Sequence, residues 1–163
     1  MSQGKHVKTD IIYEVRRARA HDFYKGAVDL LSLGFTTDVD TVTAASFTEY
    51  IAYTRSSYKM GLHRHVFVIE DEVTAKIVAT ATVLVEKKLI HGMRSVAHIE
   101  DVVVHPSMRK KSLGKLIIDY CVRFAEEEDC YKCILDCSEG VAEFYEKCDV
   151  GFNRHGVCMA TYL

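Results

Sequence analysis

Residues 97–124, AHIEDVVVHPSMRKKSLGKLIIDYCVRF, decide the fold. Ala97 to His105 is rich in β-branched side chains, as a strand requires, and Pro106 ends it by removing a backbone donor. From Leu113 the apolar positions change period. Leu113, Leu116, Ile117, Tyr120, Cys121 and Phe124 recur at three- and four-residue steps, the buried stripe of a helix whose Lys115, Asp119 and Arg123 face water. Between strand and helix lies Arg109-Lys110-Lys111-Ser112-Leu113-Gly114. A helix start presents unpaired backbone N–H groups and the positive end of the helix dipole, so a basic turn there suits a phosphate. By spacing alone the turn also reads as a solvated connection. It lacks the spacing of a triphosphate-binding P-loop, and no GxGxxG occurs.

Outward from this unit, the remaining elements follow from periodicity. Residues 1–11 read as a flexible tail, and residues 12–163 as one domain. Ile12 to Arg17 alternates as a short strand. Asp22 caps a helix carrying Phe23, Ala27, Leu30 and Leu31 and ended by Gly34; Thr43 caps a second with Phe47, Tyr50, Ile51 and Thr54 inward. Arg64 to Glu70 and Lys76 to Lys87 make a hairpin. After the central helix, Tyr131 to Cys137 is a strand, Ser138 opens a short helix, and Gly156 to Tyr162 alternates as a last strand. The order is β-α-α-β-β-β-α-β-α-β, an α/β mixed central sheet with helices on both faces.

Composition narrows the function classes. A net charge of −2 and a pI near 6.4 give no general pull toward nucleic acid or anionic membrane. No apolar run reaches the roughly 20 residues of a membrane span, and the polar start MSQGKHVKTD is no signal peptide, so a cytoplasmic protein is expected. All six cysteines lie between 121 and 158. Cys130 and Cys133 form a CxxC without the second pair that a zinc site needs, so buried free thiols are the better reading. The scattered histidines 63, 65, 91, 98, 105 and 155 likewise give no metal set, and no metal is expected.

Glu100-Asp101 inside an apolar strand carries more information. Neighbouring strand residues point to opposite faces, so one of the two is expected to be buried or in a cleft. Asp136 at the end of the following strand repeats the pattern, and such strand ends are where open α/β sheets place ligands. Cys137 lies beside it; a buried structural thiol is the expected reading, and a mixed disulfide with a ligand thiol the sharper one.

The basic turn resembles the Arg/Gln-x-x-Gly-x-Gly/Ala signature of the Gcn5-related N-acetyltransferase superfamily, which cradles the pyrophosphate of acetyl-CoA. Arg109, Leu113 and Gly114 match it, and Ser112 stands at its first glycine, which is tolerated at negative φ and strained otherwise. Four further segments, Lys88-Leu89-Ile90-His91, His98 to Val102, Tyr131 to Cys137 and Phe144-Tyr145-Glu146-Lys147, resemble the glucosamine-6-phosphate N-acetyltransferase branch in order and spacing. The resemblance runs from about Tyr13 onward. It implies direct acetyl transfer from acetyl-CoA to the amine of glucosamine 6-phosphate, on the route to UDP-N-acetylglucosamine, in a homodimer whose last strand and phosphate contacts cross subunits.

Carried over residue by residue, the resemblance assigns catalysis to Tyr145, Asp136 and Glu100. It assigns acetyl-CoA to Val102, Val103, Val104, Arg109, Lys110, Lys111, Ser112, Leu113, Gly114, Lys115 and Tyr145. The sugar phosphate falls to Thr36, Thr37, Lys88, Leu89, Ile90, His91, Glu100, Asp101, Val102, Tyr131, Lys132 and Asp136. This chain departs from the pattern at Ser112, at Val141 in place of an Asn, in two extra residues within 148–152, and in lacking a C-terminal arginine at 159–163. Another small amine as acceptor, and a non-catalytic CoA-binding paralogue, stay open as alternatives.

Overall fold

The computed structural model describes residues 13–35, 38–56 and 62–162. Its strands are β1 Val15–Arg17, β2 Leu62–Asp71, β3 Lys76–Lys87, β4 Ser95–Val104 and β5 Cys130–Leu135; its α-helices are α1 Ala27–Ser32, α2 Ala44–Ser56, α3 Leu113–Glu127 and α4 Glu139–Glu146. The sheet order is β1-β2-β3-β4-β5, antiparallel except for the parallel β4–β5 edge pair. A parallel neighbour demands a crossover, and α3 supplies it.

Strand alternation divides the sheet into two apolar faces. His65, Val83 and Ile99 share one row, and Phe67, Val85, Ala97 and Ile99 pack with Ile117, Cys121 and Phe124 of α3. An aromatic group pins this face: Phe67 lies 4.9 Å from Tyr120 and 5.1 Å from Phe124, and His65 lies 4.6 Å from Phe124. The other face buries Val68, Ile77 and Val103 under Leu30, Phe47 and Ile51 of α1 and α2. Helices therefore cover both faces, as the apolar periodicity predicts.

Three local readings change. Asp22 does not cap an α-helix; it is the third residue of a 3-10 turn, Ala20–Lys25, that leads through Gly26 into α1. Its carboxylate is almost fully buried. Burial alone would raise its pKa, but two 2.8 Å bonds from Arg16 and one from the Arg19 N–H hold it below the usual carboxylate range. Thr43 does cap α2, its hydroxyl accepting from the Ser46 N–H at 3.1 Å, but Tyr50 is exposed rather than inward.

The predicted last strand, Gly156 to Tyr162, is not formed. Among the described residues, 153–162 pair with no strand, and Val157, Met159 and Tyr162 are at least 90% exposed. Alternation is necessary for a strand, but a strand also needs a neighbour to complete its ladder, and this segment meets none within one chain. Among the described residues the sheet has five strands rather than six.

Candidate active site

The site begins where β4 and β5 part. Their parallel pairing runs from Ser95↔Cys130 to Ile99↔Leu135 and stops there. Just beyond, β4 bulges against β3: Thr82 faces Glu100 and Thr80 faces Val103, so Asp101 and Val102 stand opposite Ala81 alone. Asp101, at this bulge, takes φ 53°, in the left-handed region. The bulge breaks the alternation assumed from sequence. Glu100 and Asp101 are both exposed, and both line the same cleft.

That cleft has a volume of about 970 Å³, within the range of small-molecule and cofactor sites. Its floor is β4 from Ile99 to Val104; one wall is the 108–115 turn and the start of α3, the other Asp136 to Ser138 with α4. Gly34 and Phe35 close one side. A Cβ on Gly34 would come within 2.6 Å of a Val103 methyl, so only glycine lets this connection lie so close to β4. Gly114 allows a second close approach, since a Cβ there would meet the Phe144 ring at 2.9 Å.

The basic turn has the backbone of an anion cradle. Lys110 and Ser112 adopt φ 67° and 59°, left-handed residues alternating along the loop, a pattern that forms nests of N–H groups. Intrahelical bonding starts with the Leu116 N–H donating to the Ser112 carbonyl, which leaves the preceding N–H groups of the first turn without helical acceptors. Ser112 therefore occupies the strained alternative of the two open from sequence. Arg109, Lys110 and Lys115 line the cleft; Lys111 does not, its Nζ lying 3.5 Å from Met108 Sδ. Lys115 is ion-paired with Asp149, a partner not visible in local sequence.

The three carboxylates sit at the end where the strands diverge. Partial burial, then the charge of Asp101, lifts the Glu100 carboxyl above its ordinary pKa. Asp136 accepts a hydrogen bond from Cys158 Sγ at 3.3 Å, and that contact pushes the Cys158 thiol up. Tyr145 is half-buried on α4, against Phe144 at 5.0 Å and Phe152 at 6.4 Å. Burial, then Cys137 and Cys148, raises its pKa, so the phenol keeps its proton at neutral pH.

Tyr145, Asp136 and Glu100 thus line one cleft, together with every proposed acetyl-CoA residue except Lys111. Of the sugar-phosphate set, Glu100, Asp101, Val102 and Asp136 join them. Lys88, Leu89, Ile90, His91, Tyr131 and Lys132 do not; they gather at the opposite end of β4 and β5. His91 and Tyr131 stack at 4.1 Å, Lys132 lies 5.9 Å from the Tyr131 ring, and Lys88 pairs with Glu86 at 2.6 Å. Five residues of extended chain, about 16 Å, separate Tyr131 from Asp136. Thr36 and Thr37 lie outside the described residues.

Phe35, Met108, Phe144 and Cys148 line the cleft without having been singled out for it in the sequence. Their apolar type reads as core. Cys137 is exposed in the cleft rather than buried. Cys130 and Cys133 are half-buried free thiols that burial pushes up to about 11 and about 12, which keeps both protonated. Among the described residues, no group of three or more His, Cys, Asp or Glu side chains is placed to hold a metal.

A parallel pair splayed over a bulge, with an anion cradle at the adjoining helix start and an ionisable donor opposite, defines a group-transfer enzyme that takes a phosphate-bearing carrier. The pattern of the acetyltransferase (GNAT) family matches residues 28–152, and the chain belongs to that family. Glucosamine 6-phosphate N-acetyltransferase of Arabidopsis thaliana is 36% identical over 151 residues, covering 93% of this chain and 97% of the relative. The enzyme of the same name from Candida albicans is 37% identical over 147 residues, covering 90% and 93%. The crystal structure of the Arabidopsis enzyme superposes with a TM-score of 0.85 at 34% identity, covering 93% of this chain and 99% of that one.

Proposed function

We propose that this chain transfers the acetyl group of acetyl-CoA directly to the amine of glucosamine 6-phosphate, giving N-acetylglucosamine 6-phosphate and CoA. The observation that carries the reading is the convergence of Glu100, Asp136 and Tyr145 on the same cleft as the 109–115 anion cradle. The nest and the first turn of α3, with Arg109 and Lys110, hold the pyrophosphate of acetyl-CoA. Beyond Ile99, β4 no longer pairs with β5 while its other edge stays on β3, so the N–H groups of the Glu100–Val104 stretch that point away from β3 can take the acetyl carbonyl.

The neutral amine attacks the thioester carbon, and the carbonyl oxygen becomes an oxyanion that those donors stabilise. Asp136 orients the amine and receives its proton, with Glu100 and Asp101 favouring the approach of the ammonium form. As the C–N bond forms and the C–S bond breaks, CoA leaves as a thiolate facing Tyr145. A phenol held above its ordinary pKa of about 10 is a weaker acid than a thiol at about 8.5, so Tyr145 stabilises the thiolate by hydrogen bonding, and full proton transfer is secondary.

The cations assigned to the sugar phosphate lie at the other end of the strands, and three carboxylates in the cleft repel a phosphate. A homodimer in the cytoplasm resolves this, bringing a second copy's Lys88–His91 and Tyr131–Lys132 to the cleft and covering the exposed apolar residues of 153–162. No helix among the described residues is long and apolar enough to cross a membrane. The three carboxylates gathered where β4 and β5 part favour another small amine as the second reading.

Release of CoA thiol from acetyl-CoA, followed with glucosamine 6-phosphate, glucosamine or no acceptor, separates these readings. Release with the phosphorylated sugar alone is expected. Equal release with glucosamine transfers the assignment to another amine, and no release despite acetyl-CoA binding removes catalysis.

A further inference from the structure

The two walls of the cleft meet at one rim. Gly114, in the first turn of α3, lies so near α4 that a Cβ there would reach within 2.9 Å of the Phe144 ring. An ion pair spans the same junction. Lys115, the next residue of α3, donates from its Nζ to Asp149 Oδ2, on the turn that follows α4. That turn is fastened to α4 through Cys148. Its side chain is buried, its N–H donates to the Tyr145 carbonyl at 3.0 Å, and its thiol donates to the Phe144 carbonyl at 3.4 Å. The ammonium therefore belongs to one wall and the carboxylate to the other.

The pair engages a cation that an anion cradle would use. Arg109, Lys110 and Lys115 all line the cleft, but among the described residues only Lys115 of the three is ion-paired. Asp149 does not line the cleft, although its neighbour Cys148 does, so the acid holds Lys115 from outside the rim. The acid one turn further along α3, Asp119, is taken by Arg123. The bond to Asp149 also lifts the Lys115 pKa, which keeps the ammonium charged.

Both partners are exposed, and an exposed pair is weakly held in water. A pyrophosphate seated on the first turn of α3 is the stronger competitor. It brings charge on both of its phosphates, and the helix start and the N–H nest of the turn hold it in place. If Lys115 served both anions at once, the Asp149 carboxylate would stand beside a phosphate, a like-charge contact that is repulsive.

We propose that Asp149 is an exchange partner for Lys115: it holds the ammonium at the rim while the cradle is empty, yields it to a phosphate of acetyl-CoA, and takes it back as CoA leaves. The inference rests on reading the 109–115 turn as the acetyl-CoA cradle. In this role Asp149 lowers the affinity for the carrier and speeds its release, because binding must break the pair and departure restores it. A mere brace between α3 and α4 would have the opposite effect. It would keep the cradle formed, and its loss would weaken binding.

The test is calorimetric titration of CoA into the full chain at low ionic strength, where a single charge is least screened. Parent, Asp149→Asn, Lys115→Gln and the double variant are compared, with CoA dissociation followed by stopped flow. Both positions are exposed, so the fold is retained. Asp149→Asn is expected to bind CoA about three- to fivefold more tightly and to release it more slowly, with the gain lost when Lys115→Gln is also present. Unchanged or weaker binding in Asp149→Asn overturns the proposal, as does an equal gain in the Lys115→Gln background. A parent chain that fails to bind CoA removes the acetyl-CoA reading itself, and this proposal with it.

Discussion

The two halves of β4 do opposite work. Up to Ile99 the strand is hydrogen-bonded on both sides, and its apolar residues are sealed under α3. From Glu100 onward it bulges, loses β5 and exposes two adjacent acids to a cleft. The closed half satisfies its backbone with neighbouring strands and returns stability. The open half keeps donors and carboxylates for a ligand, at the cost of a left-handed Asp101 and a nearby left-handed Ser112. Binding and reaction thus arise where the regular ladder ends.

If that division is right, truncation in the closed half costs stability. Phe124 is 8% exposed and meets both His65 and Phe67 edge-on. Phe124→Ala is expected to lower unfolding free energy by about 3–5 kcal/mol in urea titrations, with the KM of the folded fraction for acetyl-CoA unchanged. A smaller loss together with a changed KM would break the comparison.

The next effect is a pH dependence centred on the same packed face. His65 is held neutral, its pKa down to about 4 from an ordinary 6.5. As pH falls below 6.5 the unfolded chain takes up the proton before the folded one. Stability is therefore full above about 6.5, declines toward 4 and levels off below it, a loss of about 3 kcal/mol from this group. Denaturation across that range should show the slope in the parent chain and a flatter one in His65→Phe.

The smallest effect lies in the open half. Ser112 holds φ 59° without a side-chain capping bond. Ser112→Gly is expected to gain about 1 kcal/mol of stability by relieving that conformation, and calorimetry should show acetyl-CoA bound at least as tightly. Destabilisation would show that the serine side chain contributes something the strain argument omits.

The closed half was legible in the sequence and the open half only in part. Pro106 and the change of period at Leu113 mark the strand–turn–helix unit because both act within a few residues. The bulge at Asp101 has no local mark, since it comes from pairing with β3, and so alternation misjudged where Glu100 and Asp101 point. The pairing of Lys115 with Asp149 and the tight seat of Gly34 on Val103 are likewise products of distant chain segments. Residues 156–162 alternate like a strand, but alternation does not specify what the strand pairs with. The resemblance supplied roles for Tyr145 and Asp136 that spacing alone left open. It could not show that Lys88–His91 and Tyr131–Lys132 gather at the other end of the strand pair.

The central claim is that the open half performs acetyl transfer with Tyr145 as the hydrogen-bond donor to the departing sulfur. Steady-state turnover of Tyr145→Phe at saturating acetyl-CoA and glucosamine 6-phosphate tests it most directly, alongside acetyl-CoA affinity measured by calorimetry. The account predicts turnover lowered about 100-fold or more with acetyl-CoA affinity unchanged. Turnover equal to that of the parent chain would contradict it.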